Sequence, residues 1–91
     1  MAKIFKYPLE ITDVQVIALP KGAVVLSVGL QFDRLCIWAL VDDGVAKEDR
    51  IFYVVGTGHP MPVESMTFLG TVQMAGGMLI WHVFIQDQKN D

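Results

Sequence analysis

Ninety-one residues suit one domain, because a single core usually takes about 100–200 residues. The chain is 53% hydrophobic with a net charge of −3, and its seven Lys and Arg residues are scattered. That pattern provides no basic tract to neutralise several phosphates, which disfavours nucleic-acid binding, and no apolar run approaches the roughly 18–20 residues of a membrane span.

The opening "MAKIFKYPLE" carries Lys3 and Lys6 but neither a long apolar stretch nor a small-residue cleavage site, so no signal peptide is expected. No window has helical spacing. Apolar runs rich in Val, Ile, Phe, Tyr and Trp, bounded by Gly, Pro and Asp, predict strands. In chain order these fall at about residues 2–8, 13–19, 23–31, 35–42, 50–56, 65–74 and 78–86. Glu10 and Asp13 flank the first turn, which Asp13 is expected to cap. "LPKGA", with Pro20 and Gly22, predicts a tight hairpin with a glycine bulge. "FDR" at 32–34 and "MAGGM" at 74–78 predict two more hairpins. The connections at 42–49 and 57–64 are longer. Short connections favour antiparallel pairing, since a parallel crossover needs a dozen or more residues.

The predicted fold is therefore all-β, a small antiparallel sandwich or barrel of about seven strands. Residues 1–86 form the single domain and 87–91 a polar C-terminal tail. Two strands are apolar on both faces. In "LCIWALV" one face carries Leu35, Ile37, Ala39 and Val41 and the other Cys36, Trp38 and Leu40. In "MLIWHVFI" one face carries Leu79, Trp81, Val83 and Ile85 and the other Met78, Ile80, His82 and Phe84. A solvated antiparallel face alternates with polar residues, so these outer faces call for a second layer or a second subunit. With so short a chain a homo-oligomer is expected.

Chemistry-bearing residues are few. In "GTGHPMP", Gly56, Thr57, Gly58 and His59 form the candidate ligand or partner site, because glycine-flanked amides can converge on an anion and His59 adds a donor. A phosphate loop ending in Gly-Lys-Ser/Thr is absent, and Pro60 and Pro62 oppose the helix that a dinucleotide fingerprint requires. Arg34, Lys47 and Arg50 are the cations that a nucleotide site would draw on, with Arg34 and Arg50 joined to the candidate site. His82, in an apolar strand, reads as a hydrogen-bonded structural histidine. A phosphodiesterase of the two-histidine kind would want Ser or Thr two places after each His, where Met61 and Phe84 stand. Two histidines, scattered acids and the lone Cys36 give no zinc pattern. Cys36 reads as a core thiol, which points weakly to a cytosolic compartment. The acids Asp42, Asp43, Glu48 and Asp49 read as a solvated loop without the calcium-loop spacing. No catalytic residue and no cofactor is assigned.

The stretches "KIFKYPLEITD", "LPKGAVVLSV", "LCIWALVD", "VVGTGHP" and "FLGTVQMAGGMLIWHVF" together resemble a family of small uncharacterised proteins encoded by tailed bacteriophages and prophages. The resemblance spans nearly the whole chain. It implies a phage origin and expression in the host bacterial cytoplasm, and it implies no catalytic residue. The reading that follows is a non-enzymatic, oligomeric binding protein of the infected cell. Its partner would be a host or defence protein, or a small ligand such as a nucleotide that it sequesters. Two alternatives stand beside it. One is a small enzyme acting on a phosphorylated substrate through His59, and the other a minor virion or assembly component.

Overall fold

Alternating side chains sort the sequence into seven strands, seen in a computed structural model that describes residues 1–62 and 65–88. They are β1 (Ala2–Pro8), β2 (Val14–Pro20), β3 (Val24–Gln31), β4 (Arg34–Asp42), β5 (Lys47–Gly56), β6 (Met66–Met74) and β7 (Leu79–Gln86). Residues 63–64 of the expected 57–64 connection, and 89–91 of the expected tail, lie outside the described residues. All pairings are antiparallel. A three-stranded sheet has the order β1-β4-β3 and a four-stranded sheet the order β2-β5-β7-β6. The all-β reading is correct, and the arrangement is sandwich-like. The Cα trace measures 40 × 32 × 16 Å, a slab two sheets thick.

One layer of side chains fills the space between the sheets. Leu35, Ile37, Ala39 and Val41 of β4 meet Phe52 and Val54 of β5, Val83 and Ile85 of β7, and Leu19 of β2. Leu19, Ile37, Ala39, Phe52 and Val83 are completely buried, at 0% exposure. Burying each large side chain there stabilises the fold by about 1.5–3 kcal/mol before entropy is counted. Leu9, also buried, plugs the corner between β1 and β2, and its N–H reaches Leu35 O at 2.9 Å. Gln15 holds the same corner twice. Its Nε2 donates to Glu10 O at 2.7 Å, and its Oε1 accepts the Glu10 N–H at 2.9 Å. Asp13, expected to cap this turn, instead supplies its backbone carbonyl to the Val54 N–H.

Of the three turns predicted as hairpins, two are. Gln31 pairs with Arg34 across a two-residue loop in which Phe32 and Asp33 both have positive φ, 50° and 60°. That matches the right-handed twist of the flanking strands. Phe32 is an unusual occupant, since this conformation is strained for bulky residues, and it is 94% exposed. Gly76 and Gly77, also at positive φ, close the β6–β7 hairpin through a single 3-10 turn. The "LPKGA" turn does not close a hairpin. Gly22 has φ +82° and the Ala23 N–H bonds Pro20 O at 3.0 Å, so the turn itself forms. However, β2 lies in the four-stranded sheet and β3 in the three-stranded one. The turn carries the chain across the sandwich because β2 finds its ladder with β5 and β3 with β4. The expected long connection at 42–49 is shorter than predicted. Glu48 and Asp49 stand in β5, opposite Leu19 and Ala18. Lys3 Nζ pairs with Asp43 at 2.8 Å, and this hydrogen bond holds the Asp43 carboxyl below its usual range.

β3 and β6 close one side of the slab without hydrogen-bonding to each other. Each carries a register shift there, between Val25 and Ser27 and between Phe68 and Gly70. Such bulges bend a strand and sharpen its twist. At the seam a Cβ on Gly70 would overlap the Val28 side chain. Gly70→Ala should therefore destabilise the protein by about 1–3 kcal/mol in urea unfolding, as overpacking does, and Val28→Ala in the same chain should recover part of that loss. Phe32→Asn should stabilise by about 1 kcal/mol in the same assay, because Asn tolerates the left-handed conformation.

Candidate functional site

β5 ends at Gly56, and the chain turns at once. The His59 N–H bonds Gly56 O at 3.0 Å, and Gly58 supplies φ +87° at the third position of the turn. The Thr57 N–H bonds Ile80 O of β7 at 3.3 Å. Two of the amides that the sequence offers to an anion are therefore already engaged inside the fold. What the turn accomplishes is placement of His59. Its ring lies over Gly56, where an added Cβ would stand 3.0 Å from both Cε1 and Nδ1 and 3.1 Å from Trp81 Cζ3. The absent side chain of Gly56 is the space that the His59 ring fills.

His59 forms the partition between two shallow cavities. One, of about 280 Å³, lies between the turn and the start of β7, with Thr57, Met78 and Ile80 on its walls. The other, of about 390 Å³, lies between β5 and the following loop, against Val55, Pro60, Met61 and Pro62. Both are mainly apolar in lining residues, apart from Thr57, His59 and Asp13.

The cations expected nearby do not complete an anion site. Arg50 stands six positions before Gly56, about 20 Å along the strand at the usual rise. It is half-buried on the inner side, with Nη1 3.4 Å from Ala23 O. Lys47 is three positions farther still. Arg34 belongs to the three-stranded sheet, where its guanidinium binds Glu10 Oε1 at 2.9 Å. Gly56, Thr57, Gly58 and His59 thus form one local unit, and neither arginine joins it through a contact. Among the described residues, no group of three or more His, Cys, Asp or Glu side chains could hold a metal ion.

A second histidine arrangement escaped the sequence reading. His82 sits opposite Thr71 in the β6–β7 ladder. The Thr71 hydroxyl lies 2.9 Å from His82 Nδ1, and the Thr57 hydroxyl lies 2.7 Å from Nε2. A hydroxyl can donate or accept, so either tautomer is satisfied. The expectation of a hydrogen-bonded His82 fits this geometry, and its partners became visible only with the register. Thr57 beside an imidazole has the geometry of a nucleophile and its base. With the amides of Thr57 and His59 engaged elsewhere, they cannot serve as oxyanion donors. The chain Thr57–His82–Thr71 works as a clamp that ties the turn to β7 and β6.

The outer face of the four-stranded sheet carries the other feature. Val14 pairs with Tyr53, Tyr53 with Phe84 and Phe84 with Phe68, an uncharged row across all four strands. Val14 and Phe68 are 53% and 57% exposed. The Phe68 and Phe84 rings meet in a tilted contact with centroids 5.4 Å apart, and Tyr53 Oη donates to Gln86 Oε1 at 3.0 Å. Val16 and Ile51 extend the row toward the start of β5.

The family description that matches residues 1–91 is a domain of unknown function, DUF7352. The chain belongs to this family. No curated protein and no solved structure matches it. Among the described residues no helix is long and apolar enough to cross a membrane.

The packing of His59 over Gly56 is directly testable. Gly56→Ala should displace the His59 ring slightly, shift the Trp81 indole N–H resonance and cost about 1 kcal/mol. Adding His59→Ala should restore part of the stability, since it removes one of the two groups that the new methyl meets, Trp81 being the other.

Proposed function

We propose that this DUF7352 protein is a non-enzymatic, oligomeric binding protein that engages a protein partner through the outer face of its four-stranded sheet. The observation that carries this reading is the uncharged row Val14–Tyr53–Phe84–Phe68, exposed at both ends. The exposed residues Val14 and Phe68 flank a middle in which Tyr53 is buried; apolar groups left exposed on a sheet face are candidates for partner contact, and aromatic residues are enriched where proteins meet. Phe32, at positive φ on the β3–β4 hairpin of the other sheet, is a separate exposed aromatic and not part of this face.

A protein partner suits the surface better than a nucleotide does. Arg34 is engaged with Glu10, and Arg50 lies far along β5 from the glycine turn. The resemblance to phage-encoded proteins supports the cytoplasm of an infected bacterium as the setting, and a host or defence protein as the partner class.

The test uses wild-type protein and Phe68→Ser, immobilised side by side and exposed to extract of infected cells. Phe68 is 57% exposed but packs on Phe84, so the variant should lose a few degrees of Tm while staying folded at the assay temperature, and should lose at least tenfold in retention of the captured partner. Equal retention by both would remove the face from consideration. A thermal-shift panel of nucleotides provides the contrast, because a rise in Tm of several degrees with one compound would favour sequestration of a small ligand instead.

A further inference from the structure

The two sheets have four outer edges. β3 and β6 lie against each other at the Gly70–Val28 seam, so two edges, β1 and β2, remain open. They differ in one respect. β1 carries Lys3 and Lys6, and lysines on an edge strand guard it against pairing with another chain. β2, with the sequence VQVIALP, carries no charge at all.

The hydrogen-bond direction along β2 follows from its ladder. The Val54 N–H bonds Asp13 O, and the Lys21 N–H bonds Ala46 O. Odd-numbered residues therefore face β5, and by the antiparallel alternation Val14, Val16 and Ala18 turn their N–H and C=O groups to the open side. Val14 O accepts the Thr12 hydroxyl at 3.2 Å, which leaves its second lone pair. Pro20 has no N–H and bounds the usable edge at one end. The same three residues place their side chains on the outer face, where Val14 and Val16 are 53% and 56% exposed.

We infer that β2 is a homodimer edge, pairing antiparallel with a second copy so that Val16 faces the partner's Val16. This inference rests on the oligomeric reading above and assigns its interface. The register follows from the groups available. With Val16 on the two-fold axis, Val14 faces the partner's Ala18, and all three outward residues of each strand exchange their bonds. Moving the axis to Ile17 would set Val14 against the partner's Pro20 and forfeit a donor on each side. A two-fold edge is also self-complementary, as an isologous interface requires, and an uncharged strand offers no discrimination in favour of a charged foreign segment. The contact is small. Seven residues at about 3.4 Å each, set against the 16 Å slab thickness, give a side of roughly 400 Å² per subunit. That belongs to the weak, concentration-dependent class of interface rather than to the permanent one.

The experiment is disulfide trapping in the full chain, supported by light scattering from micromolar to several hundred micromolar concentration. The native Cys36 is buried, so the wild-type chain serves as the blank. Val16→Cys should crosslink to a dimer under mild oxidation, because directly opposed Cα atoms lie about 5.5 Å apart in such a ladder. Ala18→Cys should crosslink at least tenfold more slowly, since the two copies of residue 18 would stand about 14 Å apart. Val16→Lys should keep the fold by circular dichroism and remain monomeric where the wild type dimerises. A wild-type dimer in which the Val16→Cys and Ala18→Cys variants trap equally, or not at all, would overturn the β2 interface and leave the oligomeric reading standing. A wild-type monomer at every concentration overturns both. If that monomer nevertheless loses partner capture on Val16→Lys, the edge belongs to a strand of the partner protein and not to a second copy.

Discussion

The structure depends on a single layer of side chains held between two sheets. Phe52, Ile37, Leu19 and Val83 lie in that layer without exposure, and the described strands form no third sheet. Stacked sheets sit about 10 Å apart, so a slab 16 Å thick in Cα positions has room for one core and two outward faces. Every apolar residue that points away from the core must be shielded by its neighbours on the same face or left in water. Leu40 of β4 is 40% exposed and Val24 opposite it 56%. On the other sheet Tyr53 escapes water by lying between Val14 and Phe84. The exposed apolar surface is thus a direct consequence of thinness: the hydrophobic content of the sequence exceeds what one layer can hold.

The seam between β3 and β6 sets the second constraint. Bulges in both strands, and the missing side chain at Gly70, let the sheets approach on that side alone. The opposite side stays open with β1 and β2 at its margins. Lys3 and Lys6 attend to β1, each with a partner of its own at Asp43 and Gln31. β2 carries no such guard, and a domain that avoided pairing altogether would be expected to place charge there too. The closing of one side therefore leaves the unpaired edges on β1 and β2, of which only β2 is uncharged.

The strands were legible in the sequence because apolar runs rich in Val, Ile, Phe, Tyr and Trp end at Gly, Pro or Asp, and each observed strand lies within three residues of its predicted limits. Sheet membership was not. A Pro-Lys-Gly turn with one positive φ serves a hairpin and a sheet crossing equally well. The choice between them is made by the distant partners of β2 and β3, which local propensity does not encode. Lys47, Glu48 and Asp49 read as loop because charge is rare in strands, yet the ladder with Leu19 and Ala18 overrides that preference. The candidate turn was legible as a turn and misleading as an anion cradle, because glycine spacing does not reveal that Ile80 and Gly56 already accept its amides. His82 was recognised as a histidine in need of partners, but Thr57 and Thr71 became those partners only through folding.

These constraints bear on one another at β2. A two-fold axis through antiparallel edge strands runs perpendicular to the joined sheet, so both outer faces of a dimer look the same way. Each face would then carry its own row from Val14 to Phe68, and the two four-stranded sheets would form one continuous surface. Neither the edge nor a single face needs to bind tightly in that arrangement. Against a partner that itself presents two sites, the second face would engage at an effective concentration set by the rigid sheet once the first is held. The proposed pairing along an uncharged edge, coupled to an exposed apolar face, would in that case be a weak association suited to a small contact.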